Sequence, residues 1–111
     1  MVDVVFTIAH SPSARGAASA DGSIIEHDYS IKICTAAVAH VNENGYAAVM
    51  APPGLIARKI DYVNKIRPRC TVEPHLNASP KTSASGHMVL YHKGSTNGLS
   101  LASDVSAYLA V

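Results

Sequence analysis

Tryptophan is absent from this chain and phenylalanine occurs once, so aromatic residues make up only 5% of its 111 positions. A core of stacked rings is therefore excluded. The 48% of hydrophobic residues, much of it alanine, predicts close packing of small and aliphatic side chains instead. Cysteine is nearly as scarce. Cys34 and Cys70 lie far apart, in no Cys-x-x-Cys spacing, and read as two buried thiols rather than a disulfide framework. Nine Lys and Arg stand against eight Asp and Glu, a net charge of +1. No basic stripe is present, which speaks against nucleic-acid binding and against a polybasic membrane anchor. Long apolar runs are missing too: the best candidate, Tyr46 to Ala57, is broken by Pro52 and Pro53. The first residues carry Asp3 and no basic region before their apolar stretch, so a signal peptide is not expected. Neither an internal repeat nor a low-complexity segment occurs, and the length suits one domain, residues 1–111.

What remains is an alternation of short apolar runs and helical patterns. Val2 to Ala9 reads as a buried strand closed by His10, and Ser11 to Ser23, with Pro12, Gly16 and Gly22, as a surface loop. Glu26 to Asn44 has helical spacing, with Ile33, Ala36, Ala37, His40 and Val41 on one face. Glu26 and Asp28 suit its first turn, and Gly45 supplies a left-handed end. Tyr46 to Ala51 reads as a second strand. Leu55 to Ile66 reads as a helix with Ile56, Ile60, Val63 and Ile66 on its apolar stripe and Arg58, Lys59 and Lys65 elsewhere. Cys70 to Pro74 is expected as a third strand, Asn77 to Gly86 as a loop, His87 to His92 as a fourth strand, and about Gly98 onward as a last helix. This order predicts an α/β fold: a mostly parallel, twisted sheet with helices on both faces.

Ligand sites in such sheets lie at the carboxyl ends of the strands, where His10 and His75 fall. Glu26 opens the first helix, behind a loop able to fold back over that rim. Two imidazoles and a carboxylate suit a catalytic zinc that keeps one open position. Spacing alone leaves the plainer alternative open, in which each histidine is a hydrogen-bonded structural or surface residue.

Three segments tip the balance: Phe6-Thr7-Ile8-Ala9-His10-Ser11, Glu26-His27-Asp28-Tyr29-Ser30-Ile31, and His75-Leu76-Asn77-Ala78-Ser79 followed by Ser85-Gly86-His87-Met88-Val89-Leu90-Tyr91. In these, and in their order from Val4 to the last helix, the chain resembles the zinc-dependent N-acetylmuramoyl-L-alanine amidases of bacterial autolysins and phage endolysins. The resemblance implies that His10, Glu26 and His75 hold one zinc ion. It implies cleavage of the amide between the lactyl group of N-acetylmuramic acid and the L-alanine of the peptidoglycan stem peptide. An endolysin of this kind would wait in the host cytoplasm and act at the cell wall.

The sequence also departs from the family pattern. Family members continue past the last helix into further sheet and a glutamate that serves as general acid or base. No residue up to Val111 matches it, so a C-terminally short domain is expected, with an unclosed sheet edge open to self-association. Glu73 and Pro74 stand where the family has a small polar and an aliphatic residue. Glu73 has three readings: a solvated charge at a strand edge, a carboxylate orienting the His75 ring, or a substitute general base. Asn77, Arg15 and Lys81 are candidates to meet the substrate, the two cations as partners for stem-peptide carboxylates. His27 is expected at the rim, His40 in a structural place near a helix end, and His87 and His92 on the surface. Two rival functions stay open: a catalytically silent zinc-binding homologue, and a zinc amidohydrolase or carboxypeptidase-like enzyme acting on small acyl-amino acids.

Overall fold

The computed structural model describes residues 1–110. In chain order it contains β1 (Val4–Phe6), α1 (Glu26–Glu43), β2 (Ala48–Met50), α2 (Ile56–Ile66), β3 (Cys70–Val72) and α3 (Thr96–Leu109). The chain divides into two compact units, Met1–Ala78 with the sheet, α1 and α2, and a second from Ser79 with α3. No helix among the described residues is long and apolar enough to cross a membrane.

The three strands form one parallel sheet in the order β2-β1-β3, with Val4 opposite both Ala48 and Cys70. Lateral movement reverses at β1: the first crossover leads to one side of it and the second returns past it. Right-handed crossovers in opposite directions place α1 and α2 on opposite faces of the sheet. The regular strands are shorter than the apolar runs that contain them, three residues each. Backbone bonds from Thr7 to Val72 and from Ala51 to Phe6 extend the pairing one step further. Val5, Ile8, Ala9, Ala48, Ala51 and Cys34 are buried, the small-residue core that the composition predicts. Cys34 donates its thiol to the Thr7 carbonyl, and burial pushes that thiol's pKa up, as for an inert packing group.

Both helices of the first unit are rotated relative to their apolar stripes. On α1 the buried positions are Glu26, His27, Ser30 and Cys34, while Ala36 and His40 are exposed. Gly45, at φ +87°, ends the helix in the left-handed conformation as expected. On α2 Ile56 and Ile60 face solvent and the buried residue is Lys59, with Tyr62, Val63 and Ile66 partly covered on the same side. The 59, 62, 63, 66 spacing is as helical as the isoleucine stripe, and polar acceptors at the strand ends decide which of the two faces inward. The expected strand at His87 to His92 does not form. These residues are mostly exposed and have no ladder partner among the described residues; His87 turns its Nε2 to the Ser106 carbonyl at 3.1 Å. The last helix begins earlier than expected because the Ser95 hydroxyl caps it, accepting the Gly98 N–H at 2.9 Å.

β2 is an edge strand, and its edge is partly covered by α1. The Asn42 side chain accepts the Ala48 N–H at 2.8 Å and donates to the Ala48 carbonyl at 3.2 Å, as a neighbouring strand would. Asn42→Ala strips both bonds and is expected to cost about 1–3 kcal/mol in urea unfolding.

Candidate metal centre

The rim at the carboxyl ends of β1 and β3 is built around Glu26. Its side chain is 4% exposed and faces two imidazoles: Oε1 lies 2.9 Å from His10 Nε2, and Oε2 lies 2.9 Å from His75 Nδ1. Each oxygen also accepts a backbone N–H at 3.1 Å, from Ala17 and Leu76 respectively. Burial alone would raise this carboxyl's pKa. The Ala17 N–H, His75, the Leu76 N–H and the nearby His10 outweigh it and hold the carboxyl below the usual range.

Each side chain is delivered by a local feature of the chain. His10 follows the end of β1 with φ +62°, a left-handed conformation rare outside glycine, and a tight Ser11–Ala14 turn reverses the chain behind it. The loop is not free: the Ala17 and Arg15 carbonyls accept the Glu26 and His27 N–H groups and cap α1 in place of a side chain. Ser30, one turn after Glu26 on the same face, joins the two strand ends. Its hydroxyl accepts the Ala9 N–H and donates to the Pro74 carbonyl, both at 3.0 Å. The residues that precede His10 and His75 are thus tied to the helix that carries Glu26.

The donor set fits a metal ion. One nitrogen from each imidazole and one Glu26 oxygen lie within 4.8 Å of one another. A tetrahedron with bonds of about 2.0–2.2 Å sets its corners roughly 3.3–3.6 Å apart, so small side-chain shifts close the cluster around an ion. The carboxylate forms the floor, and the imidazoles, 37% and 44% exposed, form a rim open to solvent, as an exchangeable fourth position requires. The rings meet edge to face, with centroids 5.4 Å apart.

The structure separates the remaining candidates. Glu73 is not a solvated edge charge: its side chain is 30% exposed, Oε1 pairs with Lys59 at 2.9 Å, and Oε2 lies 2.6 Å from His75 Nε2. Glu73 thus bridges Lys59 and His75. Burial raises the Glu73 pKa, and the bonds from Lys59, His75 and Thr7 more than reverse it. Arg15 pairs with Asp28. Asn77 is exposed two residues beyond His75, and Lys81 is an exposed residue of the second unit. His27, expected at the rim, is instead buried and donates Nδ1–H to the Ala9 carbonyl at 2.8 Å. A hundred-degree step along the helix turns it from the Glu26 side toward the β1 end. Sequence reasoning passed over Ser30, Lys59 and Gly16. Ser30 could have been found from its i, i+4 relation to Glu26, while Lys59 carried no signal beyond helical spacing.

A family model described as N-acetylmuramoyl-L-alanine amidase matches residues 4–110. The chain belongs to that family, and with its His/Glu/His cluster it is a hydrolase of peptidoglycan-type amide bonds. No curated protein and no solved structure gives a significant match.

Gly16 closes over the cluster at φ +79°. A Cβ there would stand 2.5 Å from the His10 ring and 2.7 Å from Glu26 Oε1, whereas a Cβ at Gly22, φ +74°, would meet nothing within 4 Å. Both alanine variants carry the same backbone strain, so Gly16→Ala is expected to lose metal binding in chelator competition and Gly22→Ala to keep it. A second prediction concerns acid. The fold depresses the Glu26 pKa, so its contribution to stability is complete above the ordinary glutamate range and is lost as pH falls through it toward the lower folded value. Urea unfolding of metal-free protein should lose stability as pH falls through and below the ordinary glutamate range. Glu26→Gln, weaker at neutral pH, should lose less over that interval.

Proposed function

We propose that this chain is a zinc-dependent peptidoglycan hydrolase that cleaves the amide joining N-acetylmuramic acid to the L-alanine of the stem peptide, with His10, Glu26 and His75 as the ligands. The observation that carries the reading is a single buried carboxylate presenting one oxygen to each of two rim imidazoles. Zinc bound there supplies a Lewis acid for the scissile carbonyl and lowers the pKa of water at the open position. The protein's own part is to hold three donors together before the ion arrives. Glu26 contributes the negative charge, and the backbone N–H groups of Ala17 and Leu76 fix its plane. Ser30 fixes the two strand ends, and the open rim admits an extended peptide.

Asn77, exposed beside His75, offers an amide donor and acceptor to that peptide. Arg15 is less suited to a stem-peptide carboxylate, because Asp28 already engages its guanidinium. Self-association through an open sheet edge belongs to the same reading, and β3 is the edge better placed for it, since Asn42 covers Ala48 on β2.

The test is a digest of purified peptidoglycan with zinc-loaded protein, read by mass spectrometry for stem peptides with a free N-terminal alanine. Release is expected, and it should vanish on chelation and in His75→Ala. No release from folded, zinc-occupied protein would overturn the reading in favour of a silent metal-binding homologue. Cleavage of small N-acyl-amino acids with wall material left intact would overturn it in favour of the other amidohydrolase.

A further inference from the structure

Lys59 is the one buried residue of α2, on a helix whose Ile56 and Ile60 face water. An ammonium has three N–H donors, and three acceptors stand ready. The Ile8 carbonyl lies 2.8 Å from Nζ, Glu73 Oε1 2.9 Å, and the His10 carbonyl 3.3 Å. All three donors are spent within the protein, which leaves none for a substrate. Two of the acceptors bracket Ala9, at the bend where His10 takes its left-handed conformation. The third belongs to the carboxylate that meets His75.

His75 stands between two carboxylates, Glu26 at Nδ1 and Glu73 at Nε2, and the Glu73 contact is the shorter, 2.6 Å against 2.9 Å. A neutral imidazole carries one N–H, so the two carboxylates compete for it. Where Glu73 holds the proton at Nε2, the Nδ1 lone pair is left facing Glu26 and the cluster.

We propose that Lys59 and Glu73 form a positioning pair for both imidazoles of the metal site: Lys59 sets His10 through its main chain, and Glu73, anchored by Lys59, sets the ring and tautomer of His75. This rests on His10, Glu26 and His75 being the ligands. Outer-shell carboxylates of this kind fix the tautomer of a ligating histidine, and their loss typically costs 10–100-fold in metal affinity. Here the device is bifunctional, because one cation acts on two ligands from the α2 side of the sheet. Ser30 ties the same two strand ends from the α1 side. The site is clamped from both helices.

Full-length Glu73→Ala, Glu73→Gln, Lys59→Met and the double variant Lys59→Met/Glu73→Gln test the proposal, the last because it leaves no unpaired buried charge. Cobalt affinity by chelator competition should fall about 10–100-fold in Glu73→Ala and less in Glu73→Gln, which keeps an acceptor. The visible spectrum of the cobalt-loaded protein should shift in Glu73→Ala and in Lys59→Met, a change that an ion pair of purely structural value would not produce. In metal-free protein, at a pH where the ring is neutral, imidazole nitrogen shifts should place the His75 proton on Nε2 in the parent and on Nδ1 in Glu73→Ala. Parent-like affinity and spectrum in Glu73→Ala or, if that variant does not fold, in the double variant would overturn the proposal. So would a His75 proton already on Nδ1 in the parent. A parent that binds no cobalt or zinc would instead overturn the ligand assignment, and the nitrogen shifts would still decide whether Glu73 holds the ring.

Discussion

The burial of one carboxylate organises this structure. Glu26 sits at the first turn of α1 with its side chain almost wholly removed from water, where an uncompensated charge would cost several kcal/mol. Compensation comes from four directions: two backbone N–H groups, one from the loop after β1 and one after β3, and two imidazoles from the same two segments. Satisfying Glu26 therefore requires the loop 11–25 to fold back, β3 to lie beside β1, and α1 to begin where it does. The site is thus part of what holds the first unit together.

Short strands suffice because side chains continue what the ladders begin. Three-residue strands supply few sheet bonds, yet Asn42 pairs with the backbone of Ala48, Ser30 bridges Ala9 to Pro74, and Lys59 gathers the carbonyls of Ile8 and His10. Pro74 fits this arrangement. It has no N–H to contribute to a ladder, and its carbonyl accepts from Ser30 instead. At Glu73 and Pro74, where the sequence departs from the family pattern, this segment is held by side-chain bonds from Lys59 and Ser30.

Much of this was legible in the sequence, for identifiable reasons. The order of elements and the parallel sheet follow from alternating patterns. Strand ends place His10 and His75 on one rim, and the meeting of both with Glu26 rests on the family resemblance, because spacing alone leaves the plainer alternative open. Gly45 and the acidic first turn of α1 marked helix ends by local rules that tertiary contacts did not override. The inward faces of the helices were less legible, because an amphipathic stripe states which side is apolar and says nothing of what awaits it. On α2 the two faces competed, and Lys59 turned inward because three oxygen acceptors stood at the strand ends. His87 to His92 shows the opposite failure: β-like composition makes a strand only where it pairs with a neighbour, and this segment has no ladder partner among the described residues.

Charge explains why a cation belongs at the rim. Around the cluster Arg15 is matched by Asp28 and Lys59 by Glu73, two pairs that cancel. Glu26 has no such match: among the described residues its ion-pair partners are imidazoles, which carry charge only when protonated. A neutral imidazole must present a lone pair to a metal, and the metal-free arrangement turns His10 Nε2 and His75 Nδ1 toward the Glu26 oxygens. At these nitrogens a metal ion competes with any proton they hold, and binding it releases that proton. The buried carboxylate favours either occupant. A divalent ion held by His10, Glu26 and His75 would match it more fully, and the net positive charge left at the open rim would favour a polarised carbonyl oxygen.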